Sequence, residues 1–229
     1  MTALLELIDV SLTYRDGRGS VTALSDVSLA VPGGSLVVVM GPSGCGKSSL
    51  LAVAGGIEQP DDGEVQIDGA PIAYGAAARA ARLRESVGFV FQERNLLDDL
   101  TAIENVMLPL ELSGHPTAQA RELARAALAA VGLVDRGDEF PFRLSGGEQQ
   151  RVAVARALIG DRRILLGDEP TGALDSLTAE GVMQLVRARC DAGAAAIVAT
   201  HDATLAAYAD RVVFLRDGAV VGAVAEAVT

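Results

Sequence analysis

The chain has 229 residues, 50% of them hydrophobic and 3% aromatic, with a formal net charge of −11; that suffices for one sizeable core, or one core carrying a smaller lobe, but not for several independent domains. The acidic balance argues against nucleic acid and against anionic lipid as partners unless the arginines gather on one face, and no apolar run reaches the roughly 18 to 20 residues of a membrane span, so direct membrane insertion is not expected. Residues 1–6 lack the basic start and long apolar stretch of a secretory signal, so a cytoplasmic chain that meets a membrane through a protein partner is expected.

In chain order, residues 4–10 and 24–31 alternate or run apolar and predict strands, and the turn Val31-Pro32-Gly33-Gly34 leads into a buried strand over 36–40. Directly after it, Gly41-Pro42-Ser43-Gly44-Cys45-Gly46-Lys47-Ser48 fits G-x-x-x-x-G-K-[ST], ahead of a helix-like run. The glycines let the backbone N–H groups and the positive end of the next helix cradle the β- and γ-phosphates. Lys47, the only lysine among 19 basic residues, supplies a compact charge that arginine's planar fork does not replace. Ser48 is placed to give its hydroxyl to Mg²⁺. Cys45 and Cys190, the only cysteines, fit neither a metal-ligand spacing nor a disulfide framework. A turn at Pro60-Asp61-Asp62-Gly63, a strand over 64–68, a helix over 76–85 and a strand over 87–91 follow.

From about 95 to 160 the pattern reads as helix after helix, with Leu123, Ala127, Leu128 and Val131 as one apolar stripe closed by Gly132. Within it, Leu144-Ser145-Gly146-Gly147-Glu148-Gln149-Gln150-Arg151 opens a helical run. Ser145 and Glu148 have the S-x-x-E spacing of an ordinary capping box. The two glycines are poor helix formers, however, and leave bare N–H groups that suit a second anion site, one without a lysine. Ile164-Leu165-Leu166-Gly167-Asp168-Glu169-Pro170 then reads as a buried strand carrying two carboxylates to its C-terminal end, where open α/β sheets bind ligands. Because successive strand residues point to opposite sides, Asp168 is assigned to Mg²⁺ and Glu169 to the attacking water; in isolation the pair would be a solvated strand end. A helix around 181–192 and a strand over 195–199 imply a parallel sheet, and the Asp217-Gly218 turn closes a final hairpin.

Leu144-Ser145-Gly146-Gly147-Glu148, downstream of a phosphate loop and ahead of Leu165-Leu166-Gly167-Asp168-Glu169-Pro170, resembles the signature motif of ABC ATPases, and the resemblance covers nearly the whole chain. It implies an α/β P-loop NTPase cassette: a RecA-like parallel core sheet with an antiparallel β subdomain over 1–94 and 161–229, and an inserted α-helical subdomain over 95–160. It also implies a homodimer of cassettes paired head to tail, with ATP and Mg²⁺ between residues 41–49, Ser49 included, of one copy and Ser145 to Glu148 of the other. By the same resemblance Tyr14 stacks on adenine, Gln92 senses Mg²⁺ and the water, Asp175 lies in the loop crossing the dimer interface, and His201 touches the γ-phosphate. The catalytic set is then Lys47, Gln92, Glu169 and His201, and the metal set Ser48, Gln92 and Asp168. Plainer readings stand beside these: Tyr14 as a half-buried strand residue, Gln92 as a polar loop residue, Asp175 as a helix N-cap and His201 as a structural histidine.

Val106-Met107-Leu108-Pro109-Leu110 after Glu104-Asn105, and the run from Glu169 to Asp175, are similar to the lipoprotein-releasing, macrolide-exporting and cell-division branch. That implies a separate ATPase subunit, peripheral on the inner face of the membrane beneath an integral membrane permease, which the helical lobe near Gln92 would receive. The alternative is a regulatory ABC ATPase acting on a cell-wall or cell-division partner without moving cargo. Two departures stand out: Ser49 where threonine is commoner, and Gly167 where a bulkier residue usually precedes the acidic pair, expected to loosen that strand slightly.

Overall fold

The computed structural model describes residues 3–17, 19–72, 74 and 86–225. Two long strands, β1 (Ala3–Asp16) and β2 (Gly19–Pro32), pair antiparallel, and β4 (Asp62–Ile67) and β5 (Ala70–Pro71) extend them into a four-stranded sheet of order β2-β1-β4-β5. Apolar alternation marks only the parts of β1 and β2 that bury Leu5, Leu7, Val10, Leu24, Val27 and Leu29. Beyond the Leu12–Leu24 pair the ladder continues with exposed Tyr14 opposite exposed Val21, so both strands run longer than hydrophobicity predicts. β4 likewise starts at Asp62, inside the expected turn, because Asp62 pairs with Ser11.

The second sheet has the order β10-β9-β3-β8-β7-β6. Its strands β3 (Leu36–Met40), β6 (Val87–Val90), β7 (Ile164–Asp168), β8 (Ala195–Ala199) and β9 (Arg211–Arg216) are mutually parallel, and only β10 (Ala219–Ala225) runs the other way, against β9. The hairpin turn has both residues at positive φ, Asp217 at 49° and Gly218 at 78°, as the tight two-residue connection requires. Alternate residues of the central strands face two different cores. Val37, Val39, Ile197 and Leu166 pack toward α1 (Lys47–Ala54) and the antiparallel sheet, while Val38, Val198 and Leu165 pack with Met183, Val186 and Cys190 of α5 (Ser176–Asp191). Both cysteines are free and buried, and burial pushes the Cys190 thiol up to about 11.

A third core joins α2 (Ala102–Leu112), α3 (Thr117–Ala130) and α4 (Gly146–Leu158). The buried stripe of α3 is Ala120, Ala124 and Leu128, whereas Leu123, expected inside, is 39% exposed. The small alanines permit close approach of α2, so the helix turns that face inward and leaves the larger leucine at the rim. The stretch from 95 to 160 is also less helical than expected. Residues 95–101 form a loop tied to Asn105, and two short 3-10 turns, Val134–Arg136 and Pro141–Arg143, separate α3 from α4. The expected helix over 76–85 lies outside the described residues. No helix among the described residues is long and apolar enough to cross a membrane.

Register places the chemistry. Val39 is level with Ala199, and Asp168 is level with Ala199 on its other side. Gly41, Glu169 and Thr200 therefore emerge together at one C-terminal edge of the parallel strands, the edge at which such sheets bind ligands.

Candidate active site

The loop after β3 is shaped by what cannot fit there. A side chain on Gly41 would collide with the Leu215 carbonyl and with the Cys45 sulfur, and one on Gly46, at φ 107°, would collide with the Ala23 carbonyl. Gly46 is the N-cap of α1 and offers no side-chain acceptor, so the first-turn N–H groups are left for an anion. Lys47 curls back over the loop, its Nζ donating to the carbonyls of Gly41 (2.7 Å) and Pro42 (3.0 Å).

The acidic pair is split by backbone rather than by strand alternation. Asp168 is the last residue of β7 and is buried. Glu169 has already left the strand at a left-handed φ of 48°, with its N–H donated to the Ala199 carbonyl at 2.9 Å. The left-handed turn, not strand alternation, is what separates the two carboxylates. Burial raises the Asp168 pKa and the neighbouring Glu169 charge adds to the rise, while the Ser48 hydroxyl bond and Lys47 oppose it. The Glu169 carboxylate turns to the end of β8. Thr200 Oγ1 donates to its Oε2 at 3.1 Å, and His201 approaches its Oε1 with both backbone N (3.1 Å) and Nδ1 (2.7 Å). That hydrogen bond, together with the carboxylate charge, raises the pKa of the largely exposed His201.

One open cleft of about 340 Å³ gathers Tyr14, Ser43, Gly44, Gly46, Lys47, Ser48, Ser49, Gln92, Asp168 and Glu169. Gly41, Pro42 and the buried Cys45 shape the loop beneath it, and His201 joins through Glu169. The wall also includes Val21, Thr22 and Ala23, which hydrophobicity could not single out; the pairing of Tyr14 with Val21 brings them in. The Ser48 hydroxyl, the Asp168 carboxylate and Gln92 form a set of hard oxygen donors suited to Mg²⁺. Among the described residues no group of three or more His, Cys, Asp or Glu could hold a metal. The other histidine, His115, lies far along the chain on a separate groove and turns its Nδ1 to the Leu110 carbonyl.

Ser145 to Glu148 and Asp175 do not line this cleft. Ser145 and Glu148 complete both halves of the capping box of α4, and Glu148 also pairs with Arg136 at 3.1 Å. The box donors lower the Glu148 pKa, the Ser145 backbone N–H foremost. Asp175 caps α5, accepting from Thr178 N at 3.0 Å. Gly167 does not loosen β7. It pairs in register with Val90 and with Val198, and a Cβ there would press on Pro170 at 3.1 Å, so the missing side chain makes room for the proline of the next turn.

The profile of the ABC transporter family matches residues 24–172. The lipoprotein-releasing system ATP-binding protein LolD of Paramagnetospirillum magneticum is 45% identical over 219 residues, covering 95% of this chain and 97% of that protein. The macrolide export ATP-binding/permease protein MacB of Salmonella typhi is 42% identical over 222 residues, 96% of this chain but 34% of that protein, so the chain spans about a third of the macrolide exporters it matches. Among solved structures, the dimeric post-hydrolysis state of the ATP-binding cassette MJ0796 bound to ADP and Pi superposes with a TM-score of 0.92 at 38% identity, covering 96% of this chain and 98% of that one.

Proposed function

This chain belongs to the ABC transporter family as an ATP-hydrolysing cassette, and we propose that it works as two copies closing head to tail over ATP to drive a membrane permease. One observation carries the reading: the chain has two glycine-led helix starts suited to anions, and they do not share a cleft. The phosphate loop, the acidic pair and His201 surround one cleft, while the glycine-led N-terminus of α4 lies outside it. A second copy supplies what each cleft lacks. The dimeric neighbour bound to ADP and Pi supports such a pairing.

In the closed pair, N–H groups of the loop and of the first turn of α1 hold the phosphates, Lys47 balances their charge, and Tyr14 stacks on the base. Ser48, Asp168 and Gln92 would hold Mg²⁺, which would supply polarisation of the phosphoryl oxygens. Glu169 orients a water and accepts its proton as that water attacks the γ-phosphorus and the bond to the ADP oxygen breaks. His201, now paired with Glu169, turns to the γ-phosphate, and Ser145, Gly146 and Gly147 of the second copy close on the same group. Asp175 stands at the crossing between copies.

We assign residues 1–94 and 161–229 to the nucleotide-binding core with its β subdomain, and 95–160 to a helical subdomain that receives the permease. An apolar groove of about 230 Å³ between Phe89, Phe91, Leu108, Pro109 and Leu112, close to Gln92, supports that docking face. The near full-length match to a lipoprotein-releasing ATPase supports a separate subunit, peripheral on the inner membrane face. The test is Glu169→Gln, which keeps the fold but removes the proton acceptor. Its expected behaviour is an ATP-dependent dimer on sizing chromatography, with turnover cut to a slow residual rate; a monomer under saturating ATP overturns the shared site.

A further inference from the structure

Glu169 occupies an awkward place for a residue that must orient a water. It lies beyond the end of β7 at φ 48°, so no ladder and no helix fixes its side chain. Among the described residues its carboxylate is held by groups of two, Thr200 and His201. We propose that Thr200 is the positioning residue for the Glu169 carboxylate, holding Oε2 in place through the catalytic cycle.

The geometry separates the three donors. His201 supplies two of them, both to Oε1, and its side chain is 77% exposed. The ring contact also depends on which imidazole nitrogen carries the proton. Thr200 is different in each respect. It is fully buried, its backbone N–H is bonded to Val39 at the end of the central strand, and its hydroxyl is the one donor to Oε2 among the described contacts. A hydroxyl has a single proton to give. Because Asp202 N–H donates into Thr200 Oγ1 at 3.1 Å, that proton is directed away from Asp202 and toward the carboxylate. Hydrogen bonds to an ionised oxygen are the strong, orienting kind. With one donor on each oxygen from fixed atoms, Thr200 Oγ1 and His201 N, the carboxylate plane stays set when the imidazole swings toward phosphate. Thr200, fully buried and not part of the cleft lining, thus acts through Glu169.

This inference rests on the assignment of Glu169 as proton acceptor, and the experiment distinguishes the two. Thr200→Val keeps the shape and removes the hydroxyl; Thr200→Ser keeps the hydroxyl and removes the methyl. The expected result is a fall in kcat of roughly tenfold for valine, the scale of one hydrogen bond to a charged group. KM for ATP should stay within about twofold, and serine should recover most of the rate. In the Glu169→Gln background, single-turnover rates should show no further loss from Thr200→Val, because residues that act through one another are not additive. A purely packing role predicts the reverse: serine fails to rescue, and valine costs as much with or without Glu169. Either finding overturns the proposal, as does wild-type kcat for Thr200→Val while Glu169→Gln is slowed to a residual rate. Wild-type turnover by Glu169→Gln itself would instead remove the proton-acceptor assignment. Should the valine variant fail to fold, Thr200→Ala against Thr200→Ser provides the same comparison.

Discussion

Asn105 is the residue whose loss should propagate furthest from the smallest change. It is fully buried in the first turns of α2. Its Nδ2 faces the carbonyls of Leu97 (3.0 Å), Leu100 (3.0 Å) and Thr101 (3.1 Å), and its Oδ1 accepts from Leu97 N at 2.8 Å. One amide therefore closes the loop from the Gln92 region into α2. Asn105→Ala leaves the Leu97 N–H and the facing carbonyls without their partner. At about 1 kcal/mol net per hydrogen bond, the loss is about 3 kcal/mol. Asn105→Asp is nearly isosteric but sets a carboxylate against three carbonyl oxygens, and should cost roughly 3 to 5 kcal/mol, the scale of an uncompensated buried charge. For a chain of this size each kcal/mol moves Tm by roughly 2 to 4 °C, so the alanine variant should melt about 6 to 12 °C lower. Amide exchange over residues 96–101 should accelerate together with that shift, and ATP turnover should fall because Gln92 loses its anchored loop. If Asn105→Ala melts within about 1 °C of the parent, the network does not carry the loop.

Lys47→Arg keeps the charge but not the compact ammonium that curls onto Gly41 and Pro42, and turnover should fall by roughly a hundredfold or more; wild-type steady-state rates would refute the loop geometry. His201 should titrate, by NMR of its ring protons, above its ordinary 6.5 because it donates to Glu169. The sign follows from the raised folded value: the contact is fully present below 6.5 and is lost as pH rises through the higher folded pKa. Glu169→Gln should bring the midpoint down, and a midpoint unchanged by that substitution would sever the pair.

Patterns that rest on backbone necessity were legible in the sequence. Gly41 and Gly46 are read correctly because only glycine fits against Leu215, Cys45 and Ala23, and Asp217-Gly218 because a two-residue hairpin demands positive φ at both positions. What depends on partners distant in the chain was not. Leu123 looks like a core residue until the alanines of α3 choose the face that α2 can approach. Residues 95–101 look helical until Asn105 gathers their backbone instead. Thr200 carries no signal beyond standing before a histidine, since its importance arises only when β7 and β8 lie in register and bring Glu169 beside it.

Ser145 to Glu148 show why a plain structural reading and a functional one need not compete. The capping box is fully formed: Ser145 accepts from Glu148 N at 3.2 Å, and Glu148 takes the Ser145 N–H at 2.8 Å. It thereby satisfies the donors at the N-cap and at the third helical position, and neither belongs to a glycine. The N–H groups of Gly146 and Gly147 lie in the first turn and have no partner within the helix. The box fixes the helix start and aims those two donors along the positive end of the dipole. Gly147 also lacks the side chain that would press on the Ala173 carbonyl at 3.2 Å, which lets the turn lie against the segment leading to Asp175. An ordinary cap is thus compatible with the proposed anion site, and the proposal accounts for a half-site without a lysine: in the proposed dimer the charge comes from Lys47 of the other copy, and α4 contributes oriented dipoles.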